Sequence, residues 1–330
     1  MHKLIGRLLR ASRMPRVWIA ACLLGFGLVG LTTQAAPAYP SNPIRIIVPF
    51  AAGGSTDITA RQLAEFARAR LNATVIVENA PGGGTIIGMR RIATAKPDGY
   101  TLGLAVSGSI SVQPLEQEVP YDVTRDFSFI GEYLAVPSPI IVSAKSNFHT
   151  LQDLLDYARA KPGNLKWALA APDGVLAAAM KSFIKEAKVD GIFVPMNGGS
   201  QVMTALLGGY VDMISTSNWP ASLKGGQIRL LAETGSDPIP GYEQIPTLKS
   251  LGYTLSSDIT YGLIAPAGLP PEILKIWEDL LRDFVKSPEL KMAAATNASV
   301  PRFTGGEAYR ARLMQQMKDM APHVKRDSRN

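Results

Sequence analysis

Short β-branched apolar runs, separated by stretches of helical period, set the strongest limit on how this chain can fold. Such runs occur at 44–49, 74–78, 101–106, 139–143, 192–195, 211–215, 229–232 and 262–265. Between them, apolar residues recur at helical spacing over 57–71, 85–95, 151–160, 175–187 and 201–207. Strands that are apolar throughout are buried on both faces, and strand alternating with helix gives an α/β fold with mainly parallel sheets flanked by helices. Local signals mark several helix starts. Thr150 precedes LQDLLDYARA with Asp153 three residues on, and Gly305-Gly306 opens an amphipathic stretch over 307–320. Pro270-Pro271 opens PPEILKIWEDLLRDFVK, in which Ile273, Leu274, Ile276, Trp277, Leu280, Leu281 and Phe284 make one core-facing stripe.

Two of the strand-to-helix junctions are rich in glycine: VPFAAGGSTD at 48–57 and VENAPGGGTIIG at 77–88. A helix N-terminus carries unpaired N–H groups and the positive end of the helix dipole, and glycine lets an anion approach that backbone closely. Neighbouring parallel strands would bring both turns to one carboxyl edge, where open α/β sheets bind ligands. The alternative is that the glycines only make tight turns. No G-x-x-x-x-G-K-[ST] motif is present, and Gly82, Gly84 and Gly88 give one residue too many for a dinucleotide fingerprint, so no nucleotide cofactor is expected.

The N-terminal residues limit the compartment. Lys3, Arg7, Arg10, Arg13 and Arg16 precede a fifteen-residue apolar run over 17–31, and a small-residue segment ends in Ala36-Pro37-Ala38. This is the layout of a cleaved signal peptide over 1–38, and the apolar run is shorter than the roughly 20 residues of a spanning helix. Cys22 follows Ile19-Ala20-Ala21 but stands too early in the run to be a lipoprotein cleavage site, so a mature chain from Tyr39 has no cysteine. Of the formal charge of +7, five units belong to residues 1–38, which leaves +2. A near-neutral chain does not suit nucleic acid as partner.

Catalytic signatures are missing. His149 and His323 have no motif around them, G-x-S-x-G is absent, and neither H-E-x-x-H nor an EF-hand loop occurs, so no catalytic residue and no metal are expected.

The segments YPSNPIRIIVPFAAGGSTDITAR, VIVENAPGGGTIIGMRRIATAKPDGYTL, YDVTRDFSFIG, ALLGGYVDM, QIPTLKSLGY and YGLIAPAGLPPEI, in this order, resemble the Bug family, the substrate-binding proteins of tripartite tricarboxylate transporters. The resemblance implies a two-lobed, type II-like periplasmic binding protein, usually a monomer. Such a protein closes over a small organic carboxylate and delivers it to a permease of two integral membrane subunits. Lobe 1 is expected over 39–140 plus 263–330 and lobe 2 over 141–262. Carried over from the family, the first glycine loop supplies Phe50, Gly53, Gly54, Ser55, Thr56 and Asp57, and the second Asn79, Gly82, Gly83, Gly84 and Thr85. Ser107 joins them from the third strand's end. Lobe 2 contributes Met196, Asn197, Gly198 and Ser200, with Thr216 and Ser217 after VDMIS. The chain departs from the family pattern at WALAAPDGVLAAAM (167–180) and at Met196-Asn197, where polar or cationic groups are lost; this speaks against a multiply charged acid such as citrate. A secreted carboxylate-processing enzyme, or a receptor serving a sensor kinase, are the alternative functions.

Overall fold

In a computed structural model, residues 39–170, 174–196, 198–296 and 298–324 are described. The segment read as a signal peptide, 1–38, lies outside the described residues. The first stretch of chain forms β1 (Ile44–Val48), α1 (Ser55–Leu71), β2 (Val75–Asn79), α2 (Ile86–Ala93), β3 (Thr101–Val106), the short helices α3 (Ser107–Ser111) and α4 (Gln113–Glu116), and β4 (Phe127–Ala135). There follow β5 (Ile140–Ser143), α5 (Leu151–Ala160), β6 (Leu165–Leu169), α6 (Gly174–Glu186), β7 (Gly191–Pro195), α7 (Gly199–Leu207), β8 (Met213–Ser215), α8 (Pro220–Lys224) and β9 (Ile228–Ala232). The chain closes with β10 (Thr260–Pro266), α9 (Pro271–Phe284), α10 (Pro288–Thr296), β11 (Val300–Gly305) and α11 (Gly306–Met320).

These strands make two sheets, in the orders β11-β4-β10-β3-β1-β2 and β7-β6-β8-β5-β9. Both sheets are mixed, which corrects the expectation of mainly parallel pairing. β1 runs parallel to β2 and β3, but β10 is antiparallel to both β3 and β4, and β11 to β4. In the second sheet β6 is parallel to β7 and β8, while β5 is antiparallel to β8 and β9. A strand such as β10, buried at every residue, reads as a continuous apolar run whichever way its neighbours point.

Each sheet is covered on both faces. Alternation along β1 sends Ile44, Ile46 and Val48 to a core shared with Leu63 of α1 and Trp277, Leu281 and Phe284 of α9. Ile47 points the other way, to Met89 and Ile92 of α2 and Tyr309 and Leu313 of α11. α9 therefore packs on the first sheet, and Trp277 Nε1 donates to Tyr39 Oη at 2.8 Å. The second sheet lies between Leu154, Trp167 and Phe183 on one side and Val202, Leu206 and Trp219 on the other. α5 starts with the reciprocal capping box of Thr150 and Asp153.

Strands β4, β6 and β11 were not legible as apolar runs. β4 carries Glu132 at its centre, fully buried and paired with Arg302 (2.6 Å) and Arg312 (3.2 Å). Arg302 stands on β11 and also meets Asp237, from the segment after β9.

The chain passes between the sheets twice, at 136–139 and 233–259, and the two passages are hydrogen-bonded side by side. Val136 N donates to Ile259 O (2.9 Å), Ser138 N to Glu233 Oε1 (3.2 Å), and Thr234 Oγ1 to Ser138 O (2.7 Å). Burial pushes the Glu233 carboxyl up to about 7, with Asp258 adding to the rise. Beside the passages lies a cavity of about 180 Å³, lined among others by Glu233, Asp258 and Arg302.

Candidate ligand-binding cleft

The first glycine turn joins β1 to α1. Gly54 caps α1 in an extended conformation with no side chain accepting from the helix's first N–H groups, and Gly53 takes φ +84°, a region that favours glycine. Asp57, in the first helical turn, is 3% exposed. Its carboxylate accepts from Gly53 N at 2.9 Å, Arg61 Nε at 3.0 Å and Asn79 Nδ2 at 2.9 Å. The Arg61 hydrogen bond is the largest influence holding Asp57 down at about 2, against a burial effect of opposite sign, with Gly53 and Asn79 contributing further.

The second turn joins β2 to α2 through consecutive residues of positive φ: Gly82 (127°), Gly83 (58°), Gly84 (62°) and Thr85 (90°). Only Thr85 carries a side chain in that region, a conformation that costs free energy unless the surroundings enforce it. What enforces it is close packing behind the turn. A Cβ on Gly88 would fall 2.5 Å from Pro49 Cβ and 2.9 Å from Ala80 O, so α2 presses against the end of β1 at glycine-only distance. Asn79 completes the join by donating to Phe50 O at 3.1 Å.

Between these turns and the start of α3 and α4 lies a cleft of about 380 Å³. Pro49, Phe50 and Ala51 line it from the first turn, Pro81, Gly82, Gly84 and Thr85 from the second, and Val106, Gly108, Ser109, Gln113 and Glu116 from the end of β3 onward. Gly174, at the start of α6, lines it from the half built on the second sheet. Thr85 Oγ1 and Ser109 Oγ are buried there with no hydrogen-bond partner among the described residues. No Lys or Arg is among the described lining residues.

The structure places the expected site residues in three groups. Phe50, Gly82, Gly84 and Thr85 line the cleft; Gly53, Gly54, Ser55 and Gly83 are exposed on the turns beside it; Thr56 is buried in the first turn of α1, and Asp57 and Asn79 hold the turns. Ser107 departs from expectation. It is fully buried, and its hydroxyl donates to Asp258 O (2.9 Å) and accepts from Thr260 N (3.2 Å), so it serves the chain passage rather than the cleft.

The described ones among the residues expected on the second sheet follow β7 and β8 and are not among the described residues lining this cleft. Met196 is half-buried and packs against the apolar cluster of Val202 and Trp219, as an unbranched apolar side chain at this loop can. Gly198 N donates to Ala170 O at 2.7 Å, Ser200 is exposed, Thr216 is buried and accepts from Asn218 N at 3.2 Å, and Ser217 is half-buried. Asn197 lies outside the described residues, as do positions 171–173 of the divergent loop. Sequence reading missed Ser109, Gln113, Glu116 and Gly174. The spacing of Gln113 and Glu116, three apart in one helical turn, was the only local signal, and it says nothing about which cavity they meet.

Known proteins resemble this chain in sequence and fold. The family described as tripartite tricarboxylate transporter family receptor matches residues 59–326. A UPF0065 protein from the gbd 5′ region of Cupriavidus necator is 31% identical over 302 residues, covering 91% of this chain and 92% of the relative. Protein BugT of Bordetella pertussis is 30% identical over 276 residues, covering 81% and 83%. A solved TctC solute-binding protein from Polaromonas superposes with a TM-score of 0.76 at 27% identity, covering 86% of this chain and 98% of that one. The two-sheet α/β fold is that of periplasmic binding proteins, and by this match over most of its length the chain belongs to the tripartite tricarboxylate transporter family of receptors, which are solute-binding proteins and not enzymes.

Proposed function

We propose that this protein is a periplasmic receptor that closes over a small organic carboxylate and delivers it to a membrane permease of two integral subunits. Its two lobes are the half built on the sheet of 44–135 and 260–305 and the half built on the sheet of 140–232, joined by the paired passages at 136–139 and 233–259. The observation that carries the reading is the convergence of both glycine turns on one cleft, with the hydroxyls of Thr85 and Ser109 buried there without partners. Helix-start N–H groups and neutral hydroxyls suit a carboxylate, and hydrogen bonds to a charged group are each worth roughly 1.5–3 kcal/mol. Export by the signal peptide read over 1–38 fits the family.

A thermal-shift screen of aliphatic and aromatic mono- and dicarboxylates tests the reading. A ligand at 100 times its Kd stabilises the folded state by about 2.7 kcal/mol. If no carboxylate raises the melting temperature, the reading fails.

A further inference from the structure

Ser55 and Tyr261, 206 residues apart in sequence, share one hydrogen bond, with their hydroxyl oxygens at 3.0 Å. Ser55 is the first residue of α1 and is exposed at the first glycine turn. Tyr261 stands near the start of β10, 7% exposed, opposite Val106 of β3. Val106 lines the cleft, so Tyr261 belongs to the cleft end of the first sheet.

Which hydroxyl donates follows from acidity and burial. A phenol is a stronger acid than an alcohol, and so the better donor and the poorer acceptor. Burial pushes the Tyr261 phenol up from its ordinary value, so it keeps its proton, and Ser55 Oγ is the one acceptor within its reach among the described residues. A buried O–H without an acceptor costs free energy, whereas an exposed hydroxyl can turn to solvent or to a ligand. Tyr261 therefore donates and Ser55 accepts. The Ser55 proton is left with no acceptor among the described residues, beside the first N–H groups of α1, which no side chain caps. Accepting one hydrogen bond also strengthens a hydroxyl as the donor of the next.

Resting on the carboxylate reading above, we infer that Ser55 donates its hydroxyl proton to the bound carboxylate, and that Tyr261 is the positioning residue that frees and polarises this donor. The described lining of the cleft offers no Lys or Arg, so a neutral donor sharpened by its neighbour supplies part of the attraction a cation would give. A bond that only anchored α1 to β10 would change stability and leave affinity alone.

Titration calorimetry on the full mature chain, with melting temperatures taken in the absence of acid, separates the two roles. The probe is the tightest binder among acetate, valerate, succinate, malate and benzoate. Ser55→Ala should weaken its binding about tenfold, and Ser55→Thr, which keeps a hydroxyl, should stay within about threefold of wild type. Tyr261→Phe keeps the ring in the core and removes only the hydroxyl, so it should weaken binding about three- to fivefold. In the Ser55→Ala background, Tyr261→Phe should change affinity by less than about twofold, because its effect passes through Ser55. Wild-type affinity in either single variant, or losses that multiply in the double variant, overturns the inference and leaves the carboxylate reading standing. If none of these acids binds and the wider carboxylate screen also gives nothing, both fall together; if the screen yields another acid, the same variants titrated with that acid decide the matter.

Discussion

Asn79 Nδ2 donates to Asp57 Oδ1 at 2.9 Å, and this contact between residues 22 apart in sequence ties the two glycine turns together. Asp57 fixes the first turn through Gly53 N, Asn79 reaches Phe50 O, and Arg61 closes the group by donating to Asn79 Oδ1 at 3.1 Å. Replacing Asp57 with alanine takes the acceptor from the N–H of Gly53 and from one N–H of Asn79, which keeps Phe50 O and Arg61 as partners. The variant should lose about 1–3 kcal/mol of stability and bind its ligand more weakly, as read by chemical denaturation and calorimetry. Asn79→Ala should weaken binding with a smaller stability loss. Unchanged affinity in both would show that the turns hold their shape without this contact.

The same carboxylate sets a pH window. Asp57 is held at about 2 in the folded protein, below its unfolded value of about 3.9, so its contribution is present above that value and is lost as pH falls through about 2. The melting-temperature difference between wild type and Asp57→Asn should therefore be level from neutral pH down to about 5 and shrink in stronger acid.

Glu233 acts in the opposite sense. Burial raises its folded value to about 7, above the unfolded value of about 4.3, so its contribution is complete in acid and is lost as pH rises through about 7. Glu233→Gln retains an acceptor for Ser138 N and Gly235 N and cannot ionise, so above neutrality it should melt at a higher temperature than wild type. A variant that melts lower at pH about 8 would mean that the ionised carboxylate is the form the passages need.

Of the glycines, Gly54 is the cleaner probe. Its φ of −79° suits any residue, and a Cβ there meets nothing nearer than Ala51 O at 3.8 Å, so Gly54→Val should stay folded and lose ligand binding. Gly83 sits at φ +58°, where a side chain costs on the order of 1–2 kcal/mol, so Gly83→Val should lose both binding and stability. Calorimetry and thermal melts on the pair separate the two effects, and wild-type affinity in Gly54→Val would place the ligand away from this turn.

Glu132 is a stability prediction independent of the cleft. Substituting glutamine removes the buried charge facing Arg302 and Arg312, which keep Asp237 and are partly exposed, and denaturant unfolding should show a loss of about 1–3 kcal/mol.

The sequence by itself determined the local pieces. Ile44 to Val48 reads as a doubly buried strand because every requirement of such a strand lies within five residues, and Thr150 with Asp153 writes a helix start in four. Both glycine turns were legible for the same reason: the conformations they need are properties of Gly53 and Gly82–Gly84 themselves, and Gly88 marks a close approach that only glycine permits. The tertiary structure alone decided the direction of β10 between β3 and β4, since burial on both faces erases any sign of direction. It alone showed β4 as a strand, because the charge of Glu132 is acceptable only once Arg302 and Arg312, some 170 to 180 residues on, have folded against it. It also placed Ser107 on the passage between the sheets and Met196 against the core of the second sheet, and brought Ser109, Gln113, Glu116 and Gly174 to the cleft between the glycine turns. Which side chains share a cavity depends on two passages between the sheets bringing distant residues together, and no spacing along the chain records that meeting.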